Sequence, residues 1–297
     1  MLIQKSKIED VMEFVYSYLI LKSYFFKIKT KIIDSNYPNS EFVEKCRDLF
    51  RNSDFKQLLK KAFKGVKKDI DGDCLDFLDA LDKSAYFALI HPNHPNITLG
   101  FVKDADLWDI WLNEGVFKIV REVISDKFSI SSGDKIIDFG CGSASPLYFG
   151  SMVGSTGLYT GIDYSEALIK IAETRKKREN FDRVNLIKNS VETKLQFRRK
   201  YDFAICSSIL QYVDIKAVLS NILEALKYEG TIAIFSGLFR DIELEKTKLL
   251  EIYYSLIPSF KRFPELSKIL EVLDNKGVAY KYKLVDNNLL KIDVRGV

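Results

Sequence analysis

Apolar residues in the first hundred positions recur at helical spacing. Ile8, Val11, Met12, Val15 and Leu19 share one face of a helix, and Phe14, Tyr18, Leu21 and Phe25 share a second. A helix apolar on two faces is buried between partners or lies at a subunit interface. Further helices are predicted over 40–51, 54–67, 74–89 and 105–124. The pairs His91-Pro92 and His94-Pro95 break the pattern before the last of them.

From residue 135 the period shortens. Apolar runs at 135–139, 158–163, 184–188, 203–207 and 231–236 predict strands, with amphipathic stretches between them. The clearest of those helices carries Ile215, Val218, Leu219, Ile222, Leu223 and Leu226 on one face, capped by Asp214. Such alternation predicts a parallel sheet with helices on both sides. Two final strands, 279–285 and 289–294, are joined only by Asp286-Asn287-Asn288. That link is too short for a parallel crossover, so the last pair is expected to be antiparallel.

Composition narrows the class. Of 297 residues, 47% are apolar and 29% charged, enough for a folded core. A net charge of +4 does not announce a nucleic-acid binder. The four cysteines are far apart with no CxxC pair, so neither a metal site nor a disulfide framework is expected, and a reducing cytoplasm follows. The apolar stretch at 14–21 is far below the roughly twenty residues of a membrane span. Glu9, Asp10 and Glu13 crowd the part of a secretory leader that should be basic.

Chemistry concentrates in KIIDFGCGSAS, residues 135–145. A buried strand runs into Asp138, then Gly140 and Gly142 let the backbone turn tightly and approach a ligand. Ser145 reads as a capping hydroxyl with Pro146 at the first helical position. Asp163 follows at the end of the second strand, placed to accept hydrogen bonds from ribose hydroxyls. Ser165 reads as the cap of the next helix, with Glu166 in its first turn. A dinucleotide fingerprint is broken at Ser145, where its third glycine would fall.

With these residues in this order, 135–237 resembles the class I S-adenosylmethionine-dependent methyltransferase family, with a consistent tail to Val297. The resemblance implies an α/β fold: a Rossmann-like, doubly wound sheet of seven strands, the last pair antiparallel, after an N-terminal all-helical domain. Residues 1–100 would be a helical cap, substrate or oligomerisation domain, and 101–297 the S-adenosylmethionine-binding domain. The family's first motif falls on Asp138, Gly140, Cys141 and Gly142, and its ribose-binding acid on Asp163, beside Tyr164. Its third-strand end falls on Asn189, Ser190 and Val191. Its fourth-strand motif matches YDFAICSSILQYV, placing Cys206 and Ser207 at the cofactor. The sequence departs from the family at Ala144, where a third glycine is usual, and at Ser190, where an aspartate contacts adenine. Gln211 replaces a frequent histidine, and Tyr228-Glu229-Gly230 lacks the usual proline and second glycine.

In such a fold, transfer depends on holding the methyl in line with its acceptor and excluding water. If a base assists, Tyr148, Tyr164, Tyr212, His91 and His94 are the candidates, and the sequence does not choose among them. The leading expectation is methyl transfer to a small-molecule or lipid-like acceptor, with the N-terminal helices covering the strand ends. Aminocarboxypropyl transfer, as in nicotianamine synthase-like proteins, methylation of RNA or protein, and a non-catalytic binding module stay open, as does a homodimer. RNA could meet the 165–200 edge, which carries eleven basic and five acidic residues. The plainer reading has Arg175 to Arg178 closing a helix. Lysines at 56, 60, 61, 64, 67 and 68 likewise read first as the solvated face of a packed helix. The acidic run at 69–73 lacks calcium-loop spacing. Trp108 and Trp111 could wall a pocket or pack the helix that carries them.

Overall fold

The apolar runs from residue 135 each form a strand. β1 (Lys135–Phe139), β2 (Leu158–Asp163) and β3 (Val184–Lys188) lie where the pattern put them. β4 (Tyr201–Ser207) and β5 (Leu226–Phe235) begin earlier than expected. Leu226, assigned by sequence to a helix face, instead pairs with Tyr201 across an irregular register step, lengthening both strands. The computed structural model describes residues 2–52, 57, 59–60, 62, 72–91, 100–113, 115–197, 199–285 and 287–295. The helix expected over 54–67, apart from positions 57, 59, 60 and 62, lies outside the described residues, as do the run at 69–71 and His94.

The sheet has seven strands in the order β3-β2-β1-β4-β5-β7-β6, where β6 is Ala279–Leu284 and β7 is Leu289–Arg295. β1 to β5 are parallel, and β7 runs antiparallel to both β5 and β6. The short link thus gives the expected antiparallel pair. Strand order reverses between β2 and β4 on either side of β1, and such a switch point opens a crevice at the carboxyl ends of the strands.

Alternation along the strands divides the core in two. Ile136, Tyr159 and Phe235 face the side occupied by the N-terminal helices. Ile137, Phe139, Ile162 and Ile234 face the other side, against α8 (Ile215–Ala225) and α10 (Leu266–Asn275). Asp214 caps α8 as expected, accepting from Ala217 N at 2.7 Å.

Ahead of the sheet come α1 (Leu2–Thr30), α2 (Ser40–Asn52), α3 (Gly72–Ala88), α4 (Ala105–Asn113) and α5 (Gly115–Lys127). α1 packs on α3, on α5 and on α9 (Leu244–Tyr254), which explains its two apolar faces, although Phe25 and Ile28 stay exposed. Its Tyr16 hydroxyl donates to the Gly237 carbonyl just beyond β5. The single helix expected over 105–124 is two. Gly115 adopts φ +54°, which glycine reaches without steric cost, and the chain turns there. Arg121 of α5 then donates to the Leu112 and Asn113 carbonyls at 2.6 and 3.4 Å, filling orphan acceptors at the end of α4.

Candidate active site

After β1 the chain makes the glycine turn. Gly140 N and Cys141 N both donate to Ile162 O, at 2.8 and 3.1 Å, which folds the turn back over β2. Gly140 and Gly142 have φ of +82° and +57°, left-handed values that favour glycine. A side chain at either would have to displace a neighbour. A Cβ on Gly140 would stand 2.5 Å from Ile209 Cδ1, and one on Gly142 would stand 2.7 Å from Leu112 Cδ1.

Helix α6 (Ser145–Val153) follows, and here the capping expectation is corrected. Ala144 is the N-cap residue, no side chain caps the helix, and Ser145 is already helical. Pro146 alone marks the start, its missing N–H costing nothing in the first turn. Ser165, by contrast, caps α7 (Glu166–Arg178), accepting from Leu168 N and donating to Phe101 O at 2.7 Å.

Asp163 ends β2 nearly buried, its two oxygens accepting from Gly142 N at 2.9 Å and Ser165 N at 2.8 Å. Burial raises its pKa, and those backbone donors pull it back. Asp138 lies deeper on β1. Burial pushes its pKa up to about 7, against the pull of a 2.7 Å hydrogen bond from Tyr159. Its Oδ1 is buried with no hydrogen-bond partner.

A cavity of about 260 Å³ opens over the turn at the switch point. Its floor is Gly140, Gly142 and Asp163, with Tyr164, Ser190, Val191 and Glu192 on one flank. Ser207, Ser208, Ile209, Gln211, Tyr212 and Val213 after β4 form the other flank. The roof is Phe101, Trp108, Trp111, Leu112 and Phe117, joined by Tyr254 and Ser259. Among the described residues none before Phe101 lines it. α4 and α5 supply most of the roof, with Phe101 from the turn before α4 and Tyr254 from α9; α1 packs on α5, α3 on α4, and α2 on α9.

The structure therefore separates the residues singled out by sequence. Gly140, Gly142, Asp163, Tyr164, Ser190, Val191, Ser207 and Tyr212 line one cavity. Asp138, Cys141, Asn189 and Cys206 are not among its lining; Cys141 and Cys206 are buried thiols, and Asn189 Oδ1 accepts from Ser190 N. Of the acid–base candidates, Tyr148 is elsewhere. Its hydroxyl is 3.0 Å from Ser125 Oγ in an open cleft with Glu122 and Asp126. His91 is exposed beyond α3 and is not among the lining residues. Tyr212 does line the cavity, but burial drives its pKa well above the ordinary value, so it remains a phenol. Trp108 and Trp111 both wall the cavity and pack in the core. Phe101, Leu112, Phe117 and Tyr254 carried no sequence signal, because nothing local marks a residue that reaches a site from another element.

On the basic edge, many cations are already paired. Arg175 binds Asp109, Glu166 takes both Lys170 and Lys188, and Arg178 meets Glu179. Among the described residues no helix is long and apolar enough to cross a membrane.

The family described as Methyltransferase domain matches residues 130–264. An uncharacterized protein of Methanocaldococcus jannaschii is 32% identical over 273 residues, covering 86% of this chain and 74% of its own. The demethylmenaquinone methyltransferase of Listeria welshimeri is 26% identical over 173 residues, covering 51% of this chain and 72% of its own. Among solved structures, the CurJ carbon methyltransferase superposes with a TM-score of 0.59 at 12% identity, covering 97% of this chain and 92% of its own. That likeness takes in the helices ahead of the sheet as well as the sheet itself.

Proposed function

The chain belongs to the class I S-adenosylmethionine-dependent methyltransferases, and from that premise we propose that its acceptor is a small or lipid-like molecule bound in the roofed cavity. The observation that carries this reading is the roof. Helices α4 and α5 close the crevice above the glycine turn into a space of about 260 Å³, too confined for a folded macromolecule to enter. The Listeria relative, by its name, methylates demethylmenaquinone, a small molecule.

The residues present fit the cofactor. The turn at Gly140 and Gly142 brings bare backbone to the cavity floor, and Asp163 presents a carboxylate beside it. A carboxylate has about four lone-pair sites, so two backbone donors leave acceptance for ribose hydroxyls. Asp138 holds an unpartnered buried oxygen beneath the turn. When bound, S-adenosylmethionine supplies a methyl group on a cationic sulfur, already activated for displacement. Asp163 would hold the ribose end, Tyr164, Ser190 and Val191 would flank the base, and Ser207 would stand at the opposite edge. The roof excludes water and fixes the acceptor's approach. Tyr212 keeps its proton and can donate but not abstract.

The test is incubation of the protein with methyl-labelled cofactor and cell extract, followed by fractionation. Label in small molecules or lipids supports the reading. Label in RNA or protein overturns it.

A further inference from the structure

The roof and far wall of the cavity are aromatic. The Phe101 ring stacks on Trp108 with centroids 4.4 Å apart and meets Tyr212 edge-on at 5.3 Å. Surfaces made of ring faces and edges favour a flat apolar ligand, through offset and edge contacts.

Charge narrows the choice. Asp163 and Glu192 are the charged side chains among the described lining residues; no lysine, arginine or histidine is among them. An anionic acceptor would find no cation among these lining residues, since Lys261 beside Glu192 is already held 3.3 Å from its Oε1, and would have the cofactor's sulfonium as its one counter-charge against the Asp163 carboxylate. A cationic acceptor would share a small cavity with the sulfonium of the cofactor.

Gln211 adds direction. It lines the cavity and is 3% exposed; its amide donates to the Tyr212 hydroxyl oxygen, and its Oε1 has no hydrogen-bond partner. Its backbone is anchored, because Lys261 N donates to its carbonyl at 2.8 Å. A buried acceptor left without a donor is costly, and a ligand hydroxyl or amine N–H would remove that cost. The terminal torsion of glutamine is broad, so its oxygen can turn toward a ligand in exchange for the contact with Tyr212.

Resting on the small-molecule reading above, we infer that the acceptor is an uncharged aromatic molecule that lies against Phe101, Trp108 and Tyr212 and donates an O–H or N–H hydrogen bond to Gln211. That bond positions the ring and takes no proton from it. Gln211 is thereby a specificity-determining residue, in the place where the family often carries histidine.

The experiment is calorimetric titration of the full chain, saturated with S-adenosylhomocysteine, using 2-naphthol, 2-methoxynaphthalene and 2-naphthoate. Naphthol is expected to bind at least about tenfold more tightly than either other probe, the scale of one buried hydrogen bond. In Gln211→Met its advantage over the methoxy compound should shrink to about twofold or less. Gln211→Asn, whose amide is held back by one methylene, should lose the advantage likewise and serves if the methionine variant does not fold. Tightest binding of naphthoate, equal binding of naphthol and its methyl ether, an unchanged preference in the variants, or no binding of any probe would each overturn the assignment. Affinity for S-adenosylhomocysteine separates the two readings. Its absence strikes the cofactor site, whereas bound nucleoside with the wrong probe order strikes only the acceptor assignment.

Discussion

Asp109 on α4 accepts both arms of Arg175 on α7, each contact 2.6 Å long. The same carboxylate accepts from Ser143 Oγ, also at 2.6 Å, next to the second glycine of the turn. One side chain thus fastens the roof helix to the glycine turn and to the helix after β2. Bidentate, charge-assisted geometry makes this the strongest kind of surface-proximal pair.

Asp109→Ala is expected to lower stability by about 1–2 kcal/mol, discounted for the partial exposure of both partners. It should also weaken cofactor affinity, because the turn loses its tether. Lys170→Ala, which breaks a more exposed pair with Glu166, should leave the denaturation midpoint almost unchanged. Urea denaturation of the two variants compares them. Equal effects would show that Asp109 is an ordinary surface charge.

Asp163→Ala should weaken S-adenosylmethionine binding by about 1–3 kcal/mol through loss of charge-assisted hydrogen bonds. Asp163→Asn should lose affinity too. Its amide nitrogen cannot accept, so either Gly142 N or Ser165 N faces a donor, and the turn loosens. Calorimetry on folded variants checks both, and unchanged affinity in either would take Asp163 out of the site.

The sheet was largely legible because each strand is a short apolar run whose pattern is local. Ser165 and Asp214 were legible as caps for the same reason. Ser145 misled, since a serine before proline signals a helix start without fixing which residue sits at the cap. The break at Gly115 was hidden because apolar spacing continues through it, and the residue that stabilises it, Arg121, acts from the next helix. The cavity floor could be read from motif order. Of its roof only Trp108 and Trp111 stood out; Phe101 and Leu112 come from ahead of the sheet and Tyr254 from more than a hundred residues after Gly140, and no local pattern links them to the motifs.

Stability should fall with rising pH on account of Asp138. Its folded pKa is about 7, whereas an unfolded aspartate titrates near ~3.9. Between those values the folded chain keeps a proton that the unfolded chain has lost. The carboxyl's contribution therefore declines from about pH 4 to about pH 7 and then levels off. Asp138→Asn can still accept from Tyr159 and cannot titrate, so its stability should exceed that of the parent most clearly at pH 8. Denaturation at pH 5 and pH 8 measures this, and parallel pH curves for the two proteins would contradict it.

The contact between Gly142 and Leu112 gives a sharper test of how the roof meets the turn. A Cβ at residue 142 must accept a left-handed backbone, which costs an L-residue roughly 1–2 kcal/mol, and must also push into Leu112 Cδ1. These two costs can be separated. Gly142→Ala alone should carry both, while in a Leu112→Ala background only the backbone cost should remain, so the double variant should be less damaged than the sum of the singles. Gly142→Val, β-branched at positive φ, should be worse than alanine in either background and should abolish cofactor binding. Denaturation and calorimetry on the four-member cycle give the coupling. Strict additivity would mean that the roof helix yields freely at residue 112. Normal cofactor binding by Gly142→Val would make the turn purely structural.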